Sequence, residues 1–277
     1  MPTAAEPTWI VDADDPRVGD FTSLNDPVLR RRIERAGDYF VVEGVLAIER
    51  LLERPEWRIR SLLFLPRVAE RFAPLIAAGP DPDTTVFVAD EGVLNDVVGF
   101  DLHRGALAAV DRRPVDGPTA SNVGAADLLL VAEGVNDHEN LGGLYRNAAA
   151  FGVEAVVLDP RCADPFYRRS VRVSLGHVLA LPTVRTDAFP AGLVQLHDLG
   201  VTTLALTPSG DRDLRDLSRS EFGSGPLAVL VGAEGAGLTE ATMEAAHHRV
   251  AIEMASDVDS LNVATATAVA LHHLRGG

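Results

Sequence analysis

The 277-residue sequence contains no lysine; all 25 of its basic residues are arginine. Arginine offers a planar donor fork suited to phosphate and to base stacking. Genome composition imposes the same bias, so it does not by itself name a partner. The single cysteine, Cys162, excludes an intramolecular disulfide and a cysteine-built metal cluster. No apolar run approaches the roughly 20 residues that span a bilayer. The opening "MPTAAEPTWIVDADDPRVGD" is acidic and lacks the apolar stretch of a secretory signal, so the expected location is cytoplasmic, with no membrane partner. The pairs His247–His248 and His272–His273 lack metal-ligand spacing, and no metal is expected. There is no G-x-S-x-G elbow for a serine nucleophile. A net charge of −15 excludes a general electrostatic grip on nucleic acid, though not a local basic patch.

What is present suits a globular chain of one large domain or two ordinary ones: 47% hydrophobic residues, 23% charged. Residues 1–20 are expected to be a flexible acidic leader. Helices and strands then alternate through "DPVLRRRIERAG", "YFVVE", "IRSLLFLP", "RVAERFAPLIAAG", "TTVFVAD" and "GALAAVDR", making a small α/β domain over 1–112. A linker at 113–126 has proline, glycine and little periodicity. From 127 to 277 the strands become nearly continuous apolar runs: "LLLVAEGV", "EAVVLD", "TTLALTP", "LAVLVGAE" and "HRVAIEM". Helical segments at 139–151, 165–180, 188–199, 238–247 and 260–274 separate them, which predicts a parallel sheet covered on both faces. Ligands in such folds sit beyond the carboxyl ends of the strands.

Three loops carry unusual residues there. In "ENLGGLYRNAAAFG", a helix from about Gly142 surrounds Arg146 with Gly142, Gly143, Ala149 and Ala150. The side chain would lean back over the glycines toward Asn140, or simply lie on a solvated face. "LVGAEGAGL" holds Gly232, Gly235 and Gly237 around Glu234, and its spacing is not that of a dinucleotide fingerprint. "SDVDSLNVATATAVALHHL" offers Asp259 or Ser260 as the cap of a last helix, with Asn262 in the first turn. Small residues at 264–268 permit close packing with another helix or a partner subunit.

In that order these segments resemble the three motifs of the SpoU, or TrmH-type, RNA 2′-O-ribose methyltransferases: Asn-x-Gly-x-x-x-Arg, Gly-x-Glu-Gly-x-Gly-Leu and Ser-Leu-Asn-Val. "RVSLGHVLALP" resembles a further family segment. "SLNDPVLRRRI" and "YFVVEGVLAIERLL" are similar to the substrate-binding domain of ribosomal-RNA members, which has a ribosomal-protein (L30e-like) fold. The resemblance implies an α/β fold of SPOUT type whose C-terminal part forms a trefoil knot, a homodimer, and S-adenosylmethionine as cofactor. The implied substrate is structured RNA, rRNA ahead of tRNA; a non-catalytic RNA-binding relative is the alternative. By motif position, Gly232, Ile252, Leu261 and Thr207 would hold the cofactor. Asn140, Arg146, Glu234, Ser260 and Asn262 would form the catalytic neighbourhood. Arg30, Arg31, Arg32 and Arg35 in the front domain, with Arg168, Arg169 and Arg172, are the candidate RNA contacts. Ala264 stands where relatives frequently have serine.

Overall fold

The computed structural model describes residues 7–78, 84–102 and 105–276; the side chains of residues 27, 30, 31, 78 and 276 lie outside that description. The chain divides into two compact units: residues 1–114 with 166–180, and residues 115–165 with 181–277.

In the first unit the elements run β1 (Thr8–Ile10), α1 (Pro27–Gly37), β2 (Tyr39–Glu43), α2 (Val45–Leu52), β3 (Ile59–Phe64), α3 (Pro66–Ala78), β4 (Thr85–Ala89), α4 (Glu91–Val98) and β5 (Ala106–Asp111). The five strands order as β1-β4-β3-β5-β2, with β1, β3 and β4 parallel and β5 antiparallel to both β3 and β2. Asp26 accepts from the Val28 and Leu29 amides and starts α1 at a proline, where the missing N–H costs nothing. The expectation of a flexible leader fails over residues 7–20. Ile10 and Val18 are buried, and β1 adds an edge to the sheet, so that stretch is part of the core. Residues 1–6 lie outside the described residues.

In the second unit, β6 (Leu128–Glu133), α5 (His138–Ala150) and β7 (Ala155–Leu158) come first. Next in the chain is α6 (Arg168–Val173), within the segment that packs with the first unit. The second unit resumes with β8 (Thr183–Arg185), α7 (Ala191–Asp198), β9 (Thr202–Leu206), β10 (Arg212–Asp213), β11 (Leu227–Gly232), α8 (Glu240–Ala245), β12 (His248–Ala251) and α9 (Val263–Gly276). Its sheet orders as β10-β12-β9-β11-β6-β7-β8 and every pairing is parallel. The middle strands β6 and β11 are buried along their whole length, as two covered faces require. Leu129, Val131, Leu230 and Ala228 from them join Leu193 and Leu196 of α7 in one apolar core. The last helix, α9, packs on α5 and β11 rather than beside β12, from which the chain arrives.

Residues 165–180 were expected as one helix of the second domain; the segment 166–180 behaves differently. Only 168–173 is α-helical, because Leu175 and Gly176 adopt positive φ and turn the chain. Gly176 sits so close to the Ala47 backbone that a Cβ would meet it at 2.7 Å. Phe166 completes a triangle of rings with Phe40 and Trp57, centroids 5.3–5.5 Å apart. The Trp57 indole donates to the Leu179 carbonyl at 2.9 Å. These buried contacts assign the segment to the first unit. No described helix is long and apolar enough to cross a membrane.

Candidate functional site

Beyond the carboxyl ends of β9 and β11 lies a cavity of about 400 Å³. Gly232, Glu234, Ile252, Ser260, Leu261, Asn262 and Thr207 all line it, so seven of the residues singled out on sequence, from four separate segments, meet in one place. Its remaining walls are largely apolar, including Leu206, Leu238 and Met243.

The glycine loop after β11 shapes one wall. A Cβ on Gly232 would collide with the backbone of Gly237 and Leu238. The loop therefore folds back directly on its own start, with Gly237 N–H donating to the Ala233 carbonyl at 2.8 Å. Gly235 and Gly237 take φ of +79° and +68°, conformations that side-chain-bearing residues rarely adopt. Glu234 stands exposed at the tip.

The first motif reaches this wall through α5. Asp137 caps that helix by accepting from the Glu139 and Asn140 amides, so the helix begins at His138, one residue before the expected segment 139–151 and four before the Gly142 start from which the surroundings of Arg146 were read. Asn140 consequently lies in the first turn, 8% exposed. Its Nδ2 donates to Glu234 Oε2 at 2.8 Å, and its Oδ1 accepts from Asn262 Nδ2 at 2.8 Å. Asn262, not Asp259 or Ser260, caps α9: its Oδ1 accepts from the Ala264 and Thr265 amides at 2.9 and 3.3 Å. Three motifs separated by 94 and 122 residues are thus joined by two side-chain hydrogen bonds.

Helix α5 meets α9 at a close crossing. A Cβ on Gly143 would stand 3.0 Å from Ala264 Cβ. Asn147, one residue past Arg146, donates to the Ala264 carbonyl at 2.6 Å. One of the two glycines beside Arg146 therefore serves helix packing. Arg146 itself is exposed and has no hydrogen bond or ion pair among the described residues. Leu144 and Ala148 face the core, as helical spacing predicts, and Phe151 is half-buried.

Sequence reasoning missed what braces the site from below. Glu133, 2% exposed at the end of β6, accepts from Thr239 Oγ1 and N and from Thr242 Oγ1, each at 2.9 Å. The same carboxylate pairs with Arg161 at 2.7 Å. Asp159, fully buried, accepts from Arg161 Nε at 2.9 Å and from the Gly134 amide at 2.8 Å. Two carboxylates and one guanidinium hold the loop after β6 and the start of α8 in register. The signal available was a charged residue closing a purely apolar strand, in "LLLVAEGV". Cys162, beside them, is no nucleophile: burial pushes its thiol up to about 12.

The arginines proposed to meet RNA divide. Arg32 and Arg35 are exposed on α1, whereas the side chains of Arg30 and Arg31 lie outside the described residues. Arg168 and Arg172 both reach Glu43, the latter at 3.1 Å, and Arg168 also donates to the Leu24 carbonyl. Arg169 is on the same helix and has partners of its own.

Comparison with known proteins bears on the same residues. The model of the SpoU rRNA Methylase family matches residues 127–272. A Mycobacterium tuberculosis protein named an uncharacterized tRNA/rRNA methyltransferase is 39% identical, over 95% of this chain and 90% of its own. The 23S rRNA (guanosine-2′-O-)-methyltransferase RlmB of Photobacterium profundum is 30% identical, over 83% of this chain and 95% of its own. The AdoMet-bound rRNA methyltransferase of Sinorhizobium meliloti superposes with a TM-score of 0.76 at 25% identity, covering 96% of both chains.

Proposed function

The chain belongs to the SpoU rRNA methylase family, and from that premise we propose that it transfers a methyl group from S-adenosylmethionine to a ribose 2′-hydroxyl of structured RNA. The observation that carries this reading is the relay Asn262–Asn140–Glu234 closing one side of the cavity. A 23S rRNA (guanosine-2′-O-)-methyltransferase among the relatives supports the 2′-hydroxyl as acceptor and ribosomal RNA ahead of tRNA.

The cavity fits the cofactor. Its volume lies within the roughly 300–1,000 Å³ of small-molecule sites, which are mostly apolar with a few placed polar groups. Gly232 lets the loop backbone close on itself with no side chain in the way. Gly232, Leu261, Ile252 and Thr207 would hold S-adenosylmethionine there. When bound, it supplies a methyl carbon made electrophilic by a sulfonium.

The protein's share of the chemistry is orientation and charge. Arg146 has no partner to give up among the described residues, and guanidinium in proteins is effectively always protonated. It clamps a phosphate beside the target ribose and stabilises charge on the attacking oxygen. Asn140 and Asn262 are held rigid by backbone and side-chain bonds, so they position the ribose with little further ordering cost. Arg32 and Arg35 provide a local basic contact on a chain whose overall charge repels RNA.

The same reading includes a homodimer, an L30e-like first unit that grips RNA, a cytoplasmic location and no metal. It also includes a trefoil knot, supported by the return of α9 from β12 across to α5.

Isothermal calorimetry with S-adenosylhomocysteine and with a nicotinamide dinucleotide tests the cofactor; the first is expected to bind and the second not. Mapping 2′-O-methylation in rRNA and tRNA from a deletion strain tests the reaction. The reading is overturned if no 2′-O-methyl group disappears from either RNA.

A further inference from the structure

We propose that Glu234 is the proton acceptor for the ribose 2′-hydroxyl, through its Oε1 atom. This rests on the methyl-transfer reading above and adds a step to it.

The orientation of the amides is fixed by backbone donors, not by choice. Asn262 Oδ1 accepts from two backbone N–H groups at the start of α9, which leaves Nδ2 to point at Asn140. Asn140 must therefore present its oxygen to Asn262 and its Nδ2 to Glu234. An amide whose oxygen and nitrogen are ordinarily interchangeable by inspection is here assigned through the chain of partners. The consequence falls on Glu234. Its Oε2 is committed to accepting from Asn140, so the carboxylate is held as an acceptor and its direction is set. Oε1 has no donor among the described residues, and Glu234 lines the cavity.

Glu234 is also without rivals there. The other polar side chains lining the cavity are Thr207, Ser260 and Asn262, none of which takes a proton near neutral pH. Among the described residues, Glu234 is the sole ionisable side chain of the lining. Its side-chain partner Asn140 is neutral. Arg146 holds its protons and cannot accept one.

A carboxylate is a weak base beside a ribose hydroxyl, but the reaction does not require an alkoxide first. As the hydroxyl oxygen forms its bond to the methyl carbon, the C–S bond breaks and its electron pair goes to sulfur. The oxygen becomes oxonium-like, and its O–H turns far more acidic than a carboxylic acid. The proton then passes to Glu234 Oε1 as the O–C bond forms, giving a neutral thioether, a methyl ether and a protonated carboxyl. A positioned acceptor of this kind is typically worth about 10²–10⁴-fold in rate.

The experiment compares wild type, Glu234→Gln and Glu234→Asp in single-turnover methyl transfer across pH. The probe is deproteinised rRNA from cells lacking this chain, and calorimetry with S-adenosylhomocysteine runs in parallel. Glu234→Gln keeps an oxygen for Asn140 but cannot take the proton. It should lose about 10²–10⁴-fold in rate, lose the acid limb of the wild-type profile, and bind S-adenosylhomocysteine as wild type does. Glu234→Asp should retain the acid limb at reduced rate. If Glu234→Gln transfers methyl groups within threefold of wild type, or keeps the acid limb, Glu234 only orients Asn140 and the proposal is wrong. Equal loss of the limb's rate in both variants together with loss of S-adenosylhomocysteine binding assigns Glu234 to the cofactor instead and also overturns it. Wild type that binds S-adenosylhomocysteine but methylates neither rRNA nor tRNA fails the underlying reading, not this step.

Discussion

On α6, Arg168 and Arg172 converge on the buried Glu43, and Arg168 also lies over the Phe100 ring and donates to the Leu24 carbonyl. On α5, Arg146 sits among glycine and alanine, exposed, with no partner among the described residues. Both helices place arginine in otherwise apolar or small surroundings. In the first, the charge is consumed inside the protein and joins a segment to a sheet. In the second it is exposed, with no neutralising side chain among the described residues. An arginine's environment, more than its presence in a motif, separates a charge used inside the fold from one left open to solvent.

The contrast can be broken most directly at Arg146. Arg146→Ala should lower the methyl-transfer rate by about 10²–10⁴-fold while leaving the melting temperature and S-adenosylhomocysteine affinity unchanged. A lowered melting temperature would place Arg146 with the structural arginines. Glu43→Ala should do the reverse: two guanidinium groups lose their shared carboxylate, at a cost of about 3 kcal/mol for a buried pair, discounted for the half-buried Arg172. Thermal unfolding should show the drop, and S-adenosylhomocysteine affinity should stay as it was.

Smaller effects sharpen the same boundary. Gly232→Ala forces the loop backbone off Gly237, and calorimetry should show at least about a tenfold loss of S-adenosylhomocysteine affinity, or about 1.4 kcal/mol. At Gly143→Ala two terms of similar size oppose. Helix propensity favours alanine by about 1 kcal/mol, whereas the contact with Ala264 costs about as much. Net stability should change by less than about 1 kcal/mol, so any fall in activity would report displacement of Asn262, which α9 carries. The smallest effect is in pH. Burial, then the neighbouring His247, holds His197 below the ordinary imidazole value, and burial also lowers His248. Their unfolded forms take protons first, so stability is full above about pH 6.5 and is lost as pH falls toward the lowered values. His197→Gln should flatten that slope in denaturant titrations between about pH 5 and 7.

Much of the second unit was legible because parallel strands buried on both faces must be written as apolar runs, and Leu128–Glu133 and Leu227–Gly232 are. The cavity residues were legible for a different reason: Gly232, Glu234 and Asn262 fall in motifs whose order and spacing resemble those of a known family, while the collision that demands Gly232 and the cap that demands Asn262 became visible only in the fold. What stayed hidden were short or context-made features. Strands of two or three residues, β1, β8 and β10, carry too little pattern to be read. The break in 165–180 depends on a positive φ at Leu175, which no residue type announces. Bonds such as Asn140 to Glu234, 94 residues apart, exist only once the sheet has brought their loops together. The role of Gly143 was half legible: smallness was read as room for Arg146, and Ala264 takes that room from the other side.

The loan of residues 166–180 to the first unit has a consequence for how the protein is made. Synthesis runs at about 5–20 residues per second, and N-terminal domains ordinarily fold first as they emerge. Here that order is interrupted. When residue 114 leaves the ribosome, Glu43 has no arginine from α6, and Phe40 and Trp57 have no third ring. These groups wait until Ala180 has also left the ribosome, by which time β6, α5 and β7 have appeared too. The nascent chain must carry an apolar patch and an uncompensated carboxylate through that interval, so the front of this protein is finished from its middle.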